Sequence, residues 1–221
     1  WQSDLIKKYL AGARDNIPQK ELSNIEFITQ QTPNGFGDAV LRARDFVADE
    51  PFMLLLGDHI QIPDKGVPAC GHQLALAFDS MDAQAMVGVR AVTQEELSRV
   101  GAAAGVPVRQ NIYSCTCFIE KPDLKTARQR LQTPGLAADN FLAHCGLYVF
   151  SPKIFDCLEE VRAKPNSTAD ELELADAQNL LLKKYPKKYF LYKINGRAYD
   201  MGTPEGYAQT QADFRNAVQN P

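Results

Sequence analysis

Three acidic residues stand where an apolar run gives way to polar chain. They are Asp58 after Leu54-Leu55-Leu56-Gly57, Glu120 in Phe118-Ile119-Glu120-Lys121-Pro122, and Asp200 in Tyr199-Asp200-Met201-Gly202-Thr203. Carboxylates at the carboxyl ends of buried strands lie where open α/β sheets meet their ligands. Taken singly, each also reads as a turn or cap residue, since Asp beside Gly favours tight turns. The loop Gln30-Gln31-Thr32-Pro33-Asn34-Gly35-Phe36-Gly37 is rich in turn formers. It has neither the Walker spacing nor the dinucleotide fingerprint, so no phosphate cradle follows from it. Cysteines at 70, 115, 117, 145 and 157 are an odd number in a mid-sized chain. They read as reduced thiols of a cytoplasmic protein rather than as a disulfide framework. Cys115 and Cys117 share a strand face but have no further ligands at zinc-like spacing.

The elements that must position these groups alternate along the chain. Apolar spacing predicts helices over 4–11, 39–47, 71–80, 124–131, 172–185 and 203–218, with another opened by Pro152. Strands are expected over 25–29, 52–56, 85–92, 115–119, 142–150 and 189–199, the last with a turn at Asn195-Gly196. Strand and helix in alternation, with apolar runs such as Phe52 to Leu56, imply an α/β fold around a largely parallel sheet. No repeat or linker divides residues 1–221, which read as one domain.

Composition narrows the function. The chain has 221 residues, 45% of them apolar, and a net charge of −3 from 24 Lys plus Arg against 27 Asp plus Glu. It is long enough for a real core, has no bulk basic field for nucleic acid or anionic lipid, and has no apolar run near the ~20 residues of a membrane span. The opening Trp1-Gln2-Ser3-Asp4 has no Met, basic stretch or apolar stretch. It reads as a piece of a longer chain rather than as a signal peptide.

In order along the chain stand Gln30-x-x-Pro33-x-Gly35-x-Gly37-x-Ala39-Val40, Leu55-Leu56-Gly57-Asp58, Ser98-Arg99-Val100-Gly101, Phe118-Ile119-Glu120-Lys121-Pro122, Gly146-Leu147-Tyr148-Val149-Phe150, Glu171 to Ala177, and Tyr199-Asp200-Met201-Gly202-Thr203. Together they resemble the sugar-phosphate nucleotidyltransferases, especially their bacterial uridylyltransferases, from about residue 1 to residue 215. The resemblance implies a three-layer, Rossmann-like fold of the nucleotide-diphospho-sugar transferase type, with a mixed, mostly parallel sheet.

It also implies roles. Gln30 and Gly35 would read the base of UTP or dTTP, an amide matching the imide edge and a glycine letting the backbone approach. Asp58 and Asp200 would hold Mg2+, which favours carboxylate and phosphate oxygens. Glu120 would accept from hydroxyls of a sugar 1-phosphate such as glucose 1-phosphate, and Lys121 would meet its phosphate. Gly146 would lie against the sugar, and Glu171 would be a further sugar or ribose ligand. The implied reaction is in-line attack of a sugar 1-phosphate oxygen on the α-phosphorus, giving an NDP-sugar and pyrophosphate. It needs no protein nucleophile or histidine base, and His72 and His144 read as structural.

Members of this family begin with a strand and a Gly-rich Thr-Arg loop with a downstream Lys, and nothing of that kind precedes Gln30. The chain alone is therefore expected to have little activity, and the full-length protein to be an active homo-oligomer. The alternative is a non-catalytic sugar-nucleotide-binding module with a regulatory or scaffolding role. Two departures bear on metal geometry and nucleotide preference: His59 stands where the uridylyltransferases usually have a second acid, and Asp38 where His or Gln is usual.

Overall fold

Alternate residues of the stretch Ala85–Val92 enter different apolar clusters. Ala85, Val87 and Val89 pack with Ile154, Phe155, Leu158 and Leu181. Met86 packs on the other side with Leu74, Ala77 and Phe78. A strand buried on both faces needs a layer of helices on each side, which is the three-layer arrangement observed.

The computed structural model describes residues 2–12, 25–97, 100–137, 139–163 and 171–219. In chain order the elements are α1 (Gln2–Gly12), α2 (Phe36–Leu41), α3 (Arg44–Val47), β1 (Phe52–Leu55), β2 (His59–Pro63), α4 (Cys70–Asp79), β3 (Ala85–Val92), α5 (Gln94–Leu97), β4 (Ala102–Arg109), β5 (Ile112–Ile119), α6 (Leu124–Arg130), β6 (Phe141–Phe150), α7 (Lys153–Arg162), α8 (Leu174–Lys184), β7 (Tyr189–Lys193), β8 (Gly196–Asp200) and α9 (Pro204–Gln219). Helix α6 starts where Asp123, held behind Pro122, accepts from the Thr126 backbone N–H at 2.8 Å. Such a cap satisfies one of the free donors of the first turn.

The main sheet has the order β1-β6-β3-β7-β5-β4, with β2 and β8 forming a separate ribbon. Among the described residues only β3 and β7 pair in parallel, Ala85 opposite Tyr189. The β1–β6, β3–β6, β4–β5, β4–β6 and β5–β7 pairs are antiparallel. The expectation of a mostly parallel sheet is thus corrected. All ten residues of β6 are buried, although it runs antiparallel to both β1 and β3. A continuous apolar run reports helices on both faces, not strand direction.

Three further details depart from the sequence reading. Residues 25–29 form no regular element and leave Ile25, Phe27 and Ile28 at 43%, 40% and 42% exposure. Strands β2 and β4 are additions. The expected stretch 189–199 turns at Asn195 as anticipated, but its halves belong to different sheets, the first pairing with β3 and β5 and the second with β2. Ser98 and Arg99 of the third motif lie outside the described residues. The five cysteines are free, and burial pushes the Cys115 and Cys145 thiols up to about 12. No described helix is long and apolar enough to cross a membrane.

Candidate active site

The ribbon of β2 and β8 exists to bring two distant motifs together. Its register sets His59 opposite Asp200, and the Met201 N–H donates to the Asp58 carbonyl at 2.8 Å. The Gly202 N–H donates to Asp200 Oδ1 at 2.8 Å. A Cβ at 202 would lie 2.6 Å from Asp58 Oδ2 and 3.1 Å from Asp200 Oδ1, so glycine there leaves both carboxylates their places. His59 Nδ1 donates to Asp58 Oδ1 at 2.9 Å. One ligand atom each from Asp58, His59 and Asp200 lies within 4.8 Å of the others, a donor set of two hard oxygens and an imidazole that suits a divalent cation.

Beside this cluster opens a cleft of about 190 Å³, walled by Leu56, His59, Gly101, Glu120, Gly146 and Asp200 among others. Its floor is a break in the β3–β6 ladder: Val87 faces Tyr148 and Val89 faces His144, which leaves Gly88 opposite three residues. Gly146 sits in this bulge at φ +71°, where L side chains are strained, and its carbonyl accepts from the Leu56 N–H at 3.0 Å. The His59 ring lies directly on it, with Cγ 2.6 Å from the place a Cβ would take. The resemblance set Gly146 against a sugar, and the structure puts it at a strand irregularity lining the cleft.

Glu120 follows the last residue of β5, its Oε2 2.7 Å from where a Cβ of residue 101 would be. Desolvation against the wall raises its pKa, Lys121 opposes the rise and Glu173 adds to it. Lys121 is exposed, takes φ +43°, and does not line the cleft. That left-handed turn ends the strand and puts consecutive side chains in different directions.

His144 is part of the wall. It is 8% exposed, stacked on Phe118 at 4.4 Å between centroids and set edge-on to Tyr148. Its Nε2 is buried without a partner among the described residues, and desolvation lowers its pKa to about 3, so the ring is neutral. The sequence reading placed His144 in a structural role. Its position three residues beyond the start of a buried strand gave no signal that it borders Glu120 and Gly146.

The glycine loop closes on the segment before α8. Leu172 donates to the Asn34 carbonyl and Gly37 donates to the Leu172 carbonyl, both at 2.7 Å. Gly35 has φ +96°, and Leu172 backbone atoms fill the space a Cβ would need. Gln30 Nε2 donates to the Gly35 carbonyl at 3.0 Å and to Asp38 Oδ2 at 2.8 Å. Glu171 lies beside Gly35, whereas Glu173, which no motif reading singled out, lines the cleft with Phe36 and Leu174. The structure therefore puts Asp200, Glu120 and Gly146 in the lining of one cleft, with Asp58 beside it in the cluster with His59 and Asp200, and sets Gln30, Gly35 and Glu171 at the adjoining loop. A roomier groove of about 410 Å³, walled by Ile60, Met201, Tyr207 and Phe214, has no carboxylate among its described lining residues.

A three-layer mixed sheet with these carboxylates at its strand ends is the fold of the nucleotide-diphospho-sugar transferases. The nucleotidyl transferase profile matches residues 6–217, and the chain belongs to that family. A UTP–glucose-1-phosphate uridylyltransferase of Streptococcus pyogenes is 34% identical over 201 residues, covering 90% of this chain and 60% of the relative. The chain thus spans 60% of the length of the curated relatives it matches. A UDP-glucose pyrophosphorylase solved with UDP-glucose is 25% identical, with a TM-score of 0.72 over 90% of this chain and 71% of that one. A UTP-bound UGPase from Acinetobacter baumannii, 23% identical with a TM-score of 0.65 over 97% and 70% of the two chains, shares the fold.

Proposed function

We propose that the whole protein joins UTP to glucose 1-phosphate, giving UDP-glucose and pyrophosphate. The observation that carries this is one cleft lined by Asp200, Glu120 and Gly146, with Asp58 clustered beside Asp200 at its edge, in a chain whose relatives bear the name of that reaction. The preference for UTP over dTTP and for glucose over other sugars belongs to the same proposal, as do a cytoplasmic location and assembly into a homo-oligomer.

Gln30 and Gly35 hold the base, Glu120 accepts from sugar hydroxyls, and Gly146, which makes room for the His59 ring, borders the sugar in the cleft. Glu171, beside Gly35, contacts the ribose or sugar. Lys121 meets the sugar phosphate as a compact cation. Asp58 and Asp200 fit Mg2+, which when bound supplies positive charge against the charge that builds at the α-phosphate. The protein residues act by holding two anionic substrates in line, and none of them is a nucleophile. Within the 221 residues no Gly-rich Thr-Arg loop precedes Gln30, so the chain alone binds the product sugar nucleotide and turns over little.

The test is amide mapping by NMR during addition of UDP-glucose. Shifts centred on Gly35, Glu120 and Gly146 are expected. Shifts confined to other surfaces, or none, would contradict the assignment.

A further inference from the structure

Asp38 is a buried carboxylate, 8% exposed, on the first turn of α2. Its Oδ2 accepts from Gln30 Nε2 at 2.8 Å and from Arg42 Nε at 2.9 Å. Gln30 spends its other amide proton on the Gly35 carbonyl at 3.0 Å. Both partners of that amide nitrogen can only accept, one being a carbonyl and the other a carboxylate. The hydrogen bond from Gln30 is the largest influence lowering the Asp38 pKa, and Arg42 adds to it against desolvation, so the acid stays ionised. Turning the amide end for end would set its oxygen against two acceptors. The orientation is therefore fixed by chemistry as well as by position. What the side chain has left to offer is Oε1, to which none of the described residues donates.

We infer that Asp38 is a positioning residue that makes Gln30 an acceptor-only reader of the base. Such a reader takes a pyrimidine with a ring N3–H, uracil or thymine, and rejects cytosine, whose N3 carries a lone pair that would face the Gln30 oxygen. Selection is strong at such a point because the wrong base leaves two acceptors opposed and unpaired. A free glutamine would not select in this way, since it could rotate to donate to cytosine N3. The inference rests on the nucleotide site proposed above. Guanine also carries a ring N–H, so the comparison is made within the pyrimidines.

Calorimetric titration of the chain with UDP-glucose and CDP-glucose, which differ only at the base, tests it. The wild-type chain is expected to prefer UDP-glucose by at least about tenfold. Asp38→Ala, which frees the amide, should cut that ratio to about threefold or less. Asp38→Asn should keep most of it, because a single amide oxygen can still accept from both Gln30 and Arg42. A readout that needs no variant is the Gln30 side-chain amide in the free protein, whose two protons should be separate and protected from exchange. An unchanged ratio in Asp38→Ala, an equal loss in Asp38→Asn, or a freely exchanging Gln30 amide would overturn the inference. Equal binding of both ligands by the wild type would overturn it alone, whereas binding of neither would overturn the nucleotide site as well.

Discussion

Gly202 and Asp58 lie so close that a Cβ on residue 202 would be 2.6 Å from Asp58 Oδ2. The atom in the way is the end of a movable side chain, so Gly202→Ala should displace the carboxylate rather than unfold the protein. Divalent-cation affinity, read by Mn2+ relaxation enhancement, should fall by about tenfold or more, while the unfolding midpoint in urea stays near wild type. Unchanged cation binding would separate Gly202 from the Asp58 and Asp200 site.

Gly146 presents the opposite case. An alanine there must hold φ +71° and also push against the His59 ring. Gly146→Ala should cost on the order of 1–2 kcal/mol of stability from the backbone alone, with more from the displaced ring. Chemical denaturation checks this, and a stability equal to wild type would mean that the bulge relaxes at no cost.

His144 gives the stability a pH dependence. Its folded pKa of about 3 lies below the ordinary 6.5. Between these values the unfolded chain binds the extra proton, so stability rises with pH there. The contribution is complete above pH 6.5 and is lost progressively as pH falls toward 3. Lowering pH from 6.5 to 5 should cost about 2 kcal/mol through this residue. His144→Phe, stacking on Phe118 without a titrating ring, should flatten that part of the profile in urea titrations at several pH values.

The neighbours of Glu120 act with opposite signs. Glu173 raises its pKa and Lys121 lowers it, on top of a larger upward push from desolvation. In a carboxyl NMR titration, Glu173→Gln should move the Glu120 midpoint down and Lys121→Met should move it up. Movement in the same direction for both variants would contradict the charge arrangement of the cleft.

How far the sequence exposed this design depends on the element. Leu54-Leu55-Leu56-Gly57-Asp58 and Tyr199-Asp200 announced their carboxylates because apolar runs ended on them, and the structure sets both beside one cleft. Strand β4 was hidden because Ala102-Ala103-Ala104-Gly105 and Pro107 have little strand propensity. It is held by pairing with β5 and β6, which local sequence does not report. Strand β2 was hidden because its stability comes from β8, some 140 residues further on by the positions of His59 and Asp200. Ile25 to Thr29 has strand-forming residues but pairs with no described strand. Asp38 and His144 show a similar limit, since their roles come from who lies opposite. Asp38 matters because Gln30 folds back onto it, and His144 because the bulge at Gly146 turns that part of β6 into a wall.

The most direct test of the account is titration calorimetry of the chain with UDP-glucose, in Mg2+ and in chelator, for wild type, Asp58→Asn and Asp200→Asn. Wild type is expected to bind, with affinity that falls at least about tenfold without Mg2+ and by a similar factor in each variant. No binding by wild type, or binding that neither chelator nor the variants weaken, would contradict it.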